Sequence, residues 1–280
     1  MRKISSDIIR DSVKRLCLKA NIELRKDVLD AIKALKKKES SLKVKRALDM
    51  IIQNAEIAKK KRLPICQDTG MVVVYLAIGQ KLVIEGDIVK AVSKGVKEAY
   101  IEGYFRKSIV NDPFLRKNTN TNLPPLIYTS IIPGNRLNIR VGIKGFGCEN
   151  ASFTKMFRPT DPIKKIEDFI LENINNIKSR ACPPMYIGIG IGGTLTKAVS
   201  MSKEAIFRKV GTYSKIRHIR TLEKSLFKKI NDLKIGPMGL KSKNSAVFGV
   251  SVLTYPTHIA GLPVAVNVSC HATRDAGEIL

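Results

Sequence analysis

Pro64-Ile65-Cys66-Gln67-Asp68-Thr69-Gly70 places a thiol, an amide, a carboxylate and a hydroxyl on consecutive residues. A proline opens the run and a glycine closes it, which predicts a fixed loop rather than the interior of a helix or strand. Two further cysteines occupy comparable settings: Cys182 in Ala181-Cys182-Pro183-Pro184, and Cys270 in Ser269-Cys270-His271-Ala272-Thr273-Arg274-Asp275. The spacing lacks the paired Cys-x-x-Cys of structural zinc sites. Three thiolates suit a [4Fe–4S] cube in which one iron has no protein ligand and acts as a Lewis acid on a substrate oxygen. Three unrelated core cysteines is the rival reading, and spacing does not decide between them.

The remaining candidates carry less chemistry. Cys17 falls on the apolar face of a helix and reads as a small core residue. His218 lies among arginines at the surface; His258 and His271 stand alone, and a lone histidine is more often structural than catalytic. Gly188-Ile189-Gly190-Ile191-Gly192-Gly193-Thr194 looks like a dinucleotide fingerprint, but Leu195 occupies the place of its last glycine and no P-loop lysine follows in register. A tight packing turn and a turn holding an anion on its amides both remain open.

The elements that must position these loops follow from periodicity. Residues 6–20 predict a helix with Ile9, Val13, Leu16, Cys17 and Ala20 on one face; residues 25–38 and 42–61 predict two more, so a helical layer precedes the first cysteine loop. Residues 71–78 are an unbroken apolar run and predict a buried strand. Asp87 caps the next helix. A long polar stretch from Arg106 to Pro125 follows, of a length that is usually functional in a compact domain. Residues 126–132 and 137–143 bracket Pro133-Gly134-Asn135, a hairpin signal. Asp161-Pro162 starts a helix. Residues 185–191 predict a strand running into a helix through Val210, residues 247–253 another strand, and residues 264–268 the last. The whole is expected to be a mixed α/β (α+β) fold, a helical N-terminal layer followed by strands and helices, in a single compact unit.

Composition narrows the classes. No apolar run reaches the ~20 residues of a membrane span, and the first residues lack the apolar core of a signal peptide, so a cytoplasmic protein without membrane association is expected. Five cysteines, an odd number without disulfide-like density, fit a reducing compartment. The net charge of +26 raises nucleic-acid binding, with the cysteines as core residues, as the alternative function. Against it, the lysines are scattered rather than interleaved with aromatics. The charge also fits an acidic partner subunit or anionic substrates.

The cysteine loops, with Phe105-Arg106-Lys107-Ser108, Asn118-Thr119, Lys144-Gly145-Phe146-Gly147, Gly192-Gly193-Thr194, Gly236-Pro237-Met238-Gly239-Leu240 and Leu262-Pro263-Val264-Ala265-Val266-Asn267, run in order over nearly the whole chain. In this they resemble the α subunit of the class I (iron–sulfur) fumarate hydratase/L-tartrate dehydratase family. The resemblance implies one iron–sulfur hydro-lyase domain over residues 1–280. It implies a [4Fe–4S] cluster on Cys66, Cys182 and Cys270, with Asp68 as an acid assisting loss or addition of hydroxyl. Gln67, Arg106, Gly147 and His258 would be substrate-binding residues, Arg106 through a substrate carboxylate. The reaction would be reversible hydration of fumarate to malate, or dehydration of tartrate. A separate β subunit, in an α2β2 assembly, would supply further carboxylate-binding residues and the base that removes the carbon-bound proton, leaving this chain alone nearly inactive. Two positions depart from the family pattern. Cys148 replaces the usual serine, adding a thiol near the pocket to which the resemblance assigns no ligand role. Asn120 replaces a common glycine, which predicts a different backbone conformation in its loop.

Overall fold

A computed structural model describes residues 2–177 and 180–280. In chain order the elements are β1 (Arg2–Ser5), α1 (Ser6–Ile22), α2 (Lys26–Lys38), α3 (Leu42–Lys61), β2 (Met71–Gly79), β3 (Leu82–Glu85), α4 (Ile88–Glu102), β4 (Leu126–Ile132) and β5 (Leu137–Lys144). There follow α5 (Phe146–Glu149), β6 (Phe153–Phe157), α6 (Ile163–Ile177), β7 (Met185–Gly192), α7 (Leu195–Ala205), α8 (Arg217–Asp232), β8 (Val247–Tyr255), β9 (Leu262–Ser269) and β10 (Arg274–Ile279). The mixed α/β class is as expected. The chain groups into two compact units, the first of residues 1–25, 54–146 and 274–280, the second of residues 26–53 and 147–273.

In the first unit, Ser5 caps α1 by accepting from the Asp7 amide. The apolar stripe Ile9, Val13, Leu16, Cys17 and Ala20 packs on one core with Val92, Val96 and Ala99 of α4 and with Val72, Val74 and Leu76 of β2. Helices α1 and α4 approach closely because position 95 has no side chain; a Cβ there would lie 2.5 Å from the Arg10 carbonyl oxygen. The sheet order is β10-β5-β2-β4. The expected hairpin is therefore not formed: β4 pairs parallel to β2 and β5 antiparallel to it, one on each side. The physical reason lies in β2, whose apolar run has to be covered on both edges. The 133–136 turn instead closes over the end of β2, where the amides of Gly79, Gln80 and Lys81 donate to the carbonyls of Arg136, Ile132 and Gly134. Residues 264–268 are also not the last strand. Arg274–Ile279 adds to β5, its charges met by partners: Arg25 and Arg140 bind the buried Asp275 at 2.6 and 2.7 Å, and Arg15 binds Glu278 at 2.6 Å.

In the second unit, the sheet order is β6-β9-β7-β8, with β7 parallel to β8 and antiparallel to β9. Its core joins Ile166, Ile170 and Ile174 of α6, Leu226 and Ile230 of α8, and the inward residues of the sheet. The glycine run of β7 is a packing device. Side chains at Gly188 and Gly190 would lie 2.2 and 2.0 Å from the Ser202 and Ala198 carbonyl oxygens of α7. Thr194 then caps α7, which ends at Ala205, short of the expected Val210. Two buried carboxylates brace loops here. Glu39 accepts from Ser242, Ser245 and the amides of Ser40 and Ser41. Glu223 holds Arg208 and the amides of Ser214 and Val252.

Candidate active site

The Cys66 loop of the first unit begins where α3 ends. The Ile65 amide donates to the Asn21 carbonyl at 2.9 Å, and Asn54 Nδ2 donates to the Ile65 carbonyl at 2.8 Å. With Ile65 buried as a plug, Cys66 emerges half-buried and its thiol donates to Gln67 Oε1 at 3.2 Å. Asp68 turns back on the backbone. Its Oδ1 accepts from the Gly70 amide at 2.9 Å and its Oδ2 from the Phe146 amide at 2.7 Å. Each oxygen keeps acceptor capacity beyond that one bond. Gly145 makes room for this arrangement, since a Cβ there would stand 3.0 Å from Asp68 Oδ2 and 3.2 Å from Arg274 Nη2.

The same loop is tied to the Arg106 segment. Thr69, buried, donates its hydroxyl to the Arg106 carbonyl at 2.5 Å. Tyr100 donates to the carbonyls of Thr69 and Gly70; burial pushes its pKa up, so its hydroxyl remains a donor. Phe105 packs edge-on against Tyr100, with ring centroids 5.4 Å apart. The main chain of Arg106 is thus pinned, while its side chain is exposed.

Three residues that the sequence reading missed do much of the positioning. Asn122, fully buried, donates to the Gly70 carbonyl at 3.1 Å and accepts from the Ser108 amide at 2.9 Å, joining both ends of the Arg106 loop to the Cys66 loop. Arg274, also buried, donates to the Asp68 carbonyl at 2.7 Å and to Asn21 Oδ1 at 3.3 Å. Asn54 is the third. Alternating asparagines at 118, 120 and 122 were the available signal, because asparagine tolerates the left-handed backbone. Asn120 and Asn122 do adopt it, at φ 58° and 59°. The left-handed backbone at Asn120 is a conformation that glycine also adopts readily.

In the second unit, Cys182 and Cys270 occupy the same end of the β7–β9 pair, which starts with Tyr186 opposite Ser269. The His271 amide donates to the Cys182 carbonyl at 3.3 Å, and Thr273 donates to the Cys270 carbonyl at 2.8 Å. Cys182 is exposed and Cys270 half-buried, so solvent reaches both residues. Gly147 is exposed too, and a Cβ there would meet only the Arg180 carbonyl oxygen at an ordinary 3.5 Å. The packing of this unit does not demand a glycine at 147, in contrast to Gly145 in the first unit. Cys148 is buried in α5. His258 lies elsewhere: it sits between β8 and β9, in a loop whose Thr257 binds the Gly193 carbonyl at 3.0 Å. The eight residues of β9 separate it from Cys270 by about 26 Å at ~3.3 Å per residue. Strand β9 thus places His258 and the two cysteines at opposite ends of the unit.

Among the described residues, no three His, Cys, Asp or Glu side chains gather closely enough to hold a single metal ion. The ligands of an iron–sulfur cube bind separate irons and need not converge on one point. The donor chemistry fits such a group. Cys66, Cys182 and Cys270 are accessible thiols at element junctions, whereas Cys17 is fully buried and its thiol pKa is pushed far up by burial.

Comparison with known proteins agrees in kind. The family described as "Fumarate hydratase (Fumerase)" matches residues 10–278. A Methanocaldococcus jannaschii protein provisionally named L(+)-tartrate dehydratase subunit alpha is 38% identical over 275 residues, covering 96% of each chain. The L(+)-tartrate dehydratase subunit alpha of Escherichia coli K12 is 30% identical over 251 residues, which is 89% of this chain and 82% of that one. The protein of the same name from Shigella sonnei gives the same figures. With a family match over almost its whole length and relatives of this identity, the chain belongs to the fumarate hydratase family of hydro-lyases.

Proposed function

We propose that the chain is the α subunit of a two-subunit [4Fe–4S] hydro-lyase that interconverts fumarate and malate, or dehydrates tartrate. Cys66, Cys182 and Cys270 are its cluster ligands. The observation that carries this reading is the scaffold around Gly70. Tyr100, Asn122 and Thr69 hold a thiol (Cys66), an amide (Gln67), a carboxylate (Asp68) and a guanidinium (Arg106) on two mutually bonded loops. When bound, the cluster supplies a Lewis-acidic iron without a protein ligand, which eases loss of a poor leaving group.

The chain's own residues supply binding and proton handling. Arg106 presents an exposed guanidinium suited to a bidentate grip on a carboxylate. Gln67, exposed beside Cys66, offers amide contacts to the same substrate. Gly147 lets substrate approach the backbone, which explains a glycine that its own packing does not require. Asp68 carries, at one of its carboxylate oxygens, the proton that joins or leaves the hydroxyl. His258, at the far end of β9 from Cys270, has no part in this assignment. A β subunit completes the carboxylate grip and provides the carbon base; the relatives' names, as alpha subunits, support such a partner. A reducing, cytoplasmic setting suits five cysteines of which none is disulfide-bonded. No helix among the described residues is long and apolar enough to cross a membrane.

The test is co-expression with a β-type partner, anaerobic iron–sulfide reconstitution, and assay with fumarate, L-malate and L(+)-tartrate. Turnover of one of these by the reconstituted pair, and loss of it on removing iron or the partner, is expected. Full activity of the iron-free chain alone, or no turnover of any of the three by the loaded pair, overturns the reading.

A further inference from the structure

Each sheet edge of a folded protein offers unpaired backbone donors and acceptors to any strand that meets it, and proteins blunt such edges with charge, shortness or cover. Most edges of this chain are blunted. Strand β10 carries Arg274, Asp275 and Glu278 among six residues. Strand β6 is five residues long with Lys155 at its centre. Strand β8 is buried over most of its length, and side chains cap its amides: Glu223 accepts from Val252, and Asn231 accepts from Val247 and from Ala246 just before the strand. The four-residue β1 and β3 are joined outwardly by the Lys3–Glu85 ion pair.

Strand β4 has none of these devices. Its sequence, Leu-Ile-Tyr-Thr-Ser-Ile-Ile, is rich in β-formers and contains no charge, proline or glycine. It ends its sheet, and among the described residues its one strand partner is β2. Five of its seven residues are exposed, Ile131 at 65% and Tyr128 at 38%. In a chain of net charge +26, no charged residue occurs between Lys117 and Arg136. The uncharged runs of β7, β8 and β9 are explained by burial; this one is not.

We propose that β4 is the self-association edge of the chain, pairing antiparallel with β4 of a second copy across a two-fold axis. Centred on Thr129, this register sets Thr129 opposite its symmetry mate, Ile127 opposite Ile131, Tyr128 opposite Ser130 and Leu126 opposite Ile132. Each position keeps its face, because the side-chain period of two is preserved. Thr–Thr and β-branched cross-strand pairs are favourable ones. An antiparallel ladder about a two-fold is self-complementary, as a closed symmetric dimer requires. The charge argument selects a second copy over an acidic partner. Two strongly cationic chains repel wherever cations face each other, and this strand is an exposed surface from which cations are missing. An acidic partner would gain nothing from a strip that offers it no countercharge.

The inference does not rest on the reaction assigned above. Sedimentation of the full chain, alone and with its β-type partner, tests it against the Thr129→Lys/Ile131→Lys variant. The unmodified chain is expected to dimerise alone, and the variant to self-associate at least tenfold more weakly with an unchanged circular dichroism spectrum. If that variant misfolds, Thr129→Cys under mild oxidation replaces it. A disulfide between the two introduced thiols, identified in the cross-linked peptide, is then expected. A chain that is monomeric at all concentrations, that pairs only when the partner is added, or that dimerises without either effect, overturns the proposal.

Discussion

Around Cys66 the chain is held by side chains from distant segments; around Cys182 and Cys270 it is held mainly by strand pairing. In the first region, Tyr100, Asn122, Asn54 and Arg274 each reach from a distant segment to a main-chain carbonyl of the loop, and Thr69 reaches out to that of Arg106. In the second, the register of β7 against β9 brings the cysteine segments together, and bonds at the strand ends are added: the His271 amide and ring nitrogen at the Cys182 carbonyl and the Thr273 hydroxyl at the Cys270 carbonyl. A loop fixed by five or so individual bonds can present several different groups in chosen directions, and it is vulnerable at each bond. A strand end can present little besides the residue that leaves it, and its ladder tolerates single changes. In the proposed site the catalytic variety therefore falls to the first unit, and the second would contribute mainly thiols and an open backbone at Gly147.

The sharpest way to break this contrast is through the thiols themselves. Cys66→Ser, Cys182→Ser and Cys270→Ser should each lose the cluster, read as iron per chain after anaerobic reconstitution, whereas Cys17→Ser should keep it. Full iron in any of the first three removes that cysteine from the ligand set.

Next come Asp68 and Arg106. In the reconstituted two-chain enzyme, Asp68→Asn should lower kcat by about 10²–10⁴ with iron retained, the range of general acid–base groups. Arg106→Met should chiefly raise KM, with a smaller loss in kcat from misalignment of the substrate. Because Asp68 also binds two amides, a melting curve must accompany the kinetics. Lower stability with unchanged kcat would make Asp68 a loop brace and nothing more.

A smaller effect tests the scaffold. Arg274→Met leaves the Asp68 carbonyl and Asn21 without their donor and should cost about 1–3 kcal/mol, and Tyr100→Phe about 1 kcal/mol. Denaturant titration would measure both. At Cys182 the His271 ring nitrogen Nδ1 lies 3.3 Å from the carbonyl that the His271 amide also binds, so His271→Ala removes one of two bonds to that carbonyl and should cost no more than about 1 kcal/mol, with iron nearly unchanged.

The smallest effect separates two glycines with a single residue between them. Gly145→Ala crowds the Asp68 carboxylate and should destabilise the chain by about 1–3 kcal/mol, as overpacking does. Gly147→Ala should stay within about 0.5 kcal/mol of the parent yet raise KM. Equal effects on stability would erase the distinction between a glycine needed by the fold and one needed by substrate.

Much of this architecture was legible along the chain. The three N-terminal helices, the apolar β2 and the capped α4 and α7 follow from local periodicity and capping, which act over a few residues. The candidate site was legible in part, since Pro64–Gly70 announces a loop of mixed chemistry and Cys17 announces a core thiol. What was not legible is pairing. The Pro133-Gly134-Asn135 turn suits a hairpin locally, yet β2 takes both neighbours. Arg274–Ile279 has poor strand composition, yet it completes a sheet because Arg15, Arg25 and Arg140 meet its charges.

The sequence by itself determined which segments are helices, which runs are apolar, where the loops fall and which residue types those loops carry, because each rests on contacts between near neighbours. Only the tertiary structure decided that β4 ends a sheet with an open edge, that Asn122 and Arg274 brace the Cys66 loop, and that β9 divides His258 from Cys270. Those outcomes depend on which distant segments share an edge or bury a common polar group. That choice is made by the free energy of the assembled core and has no counterpart in local spacing.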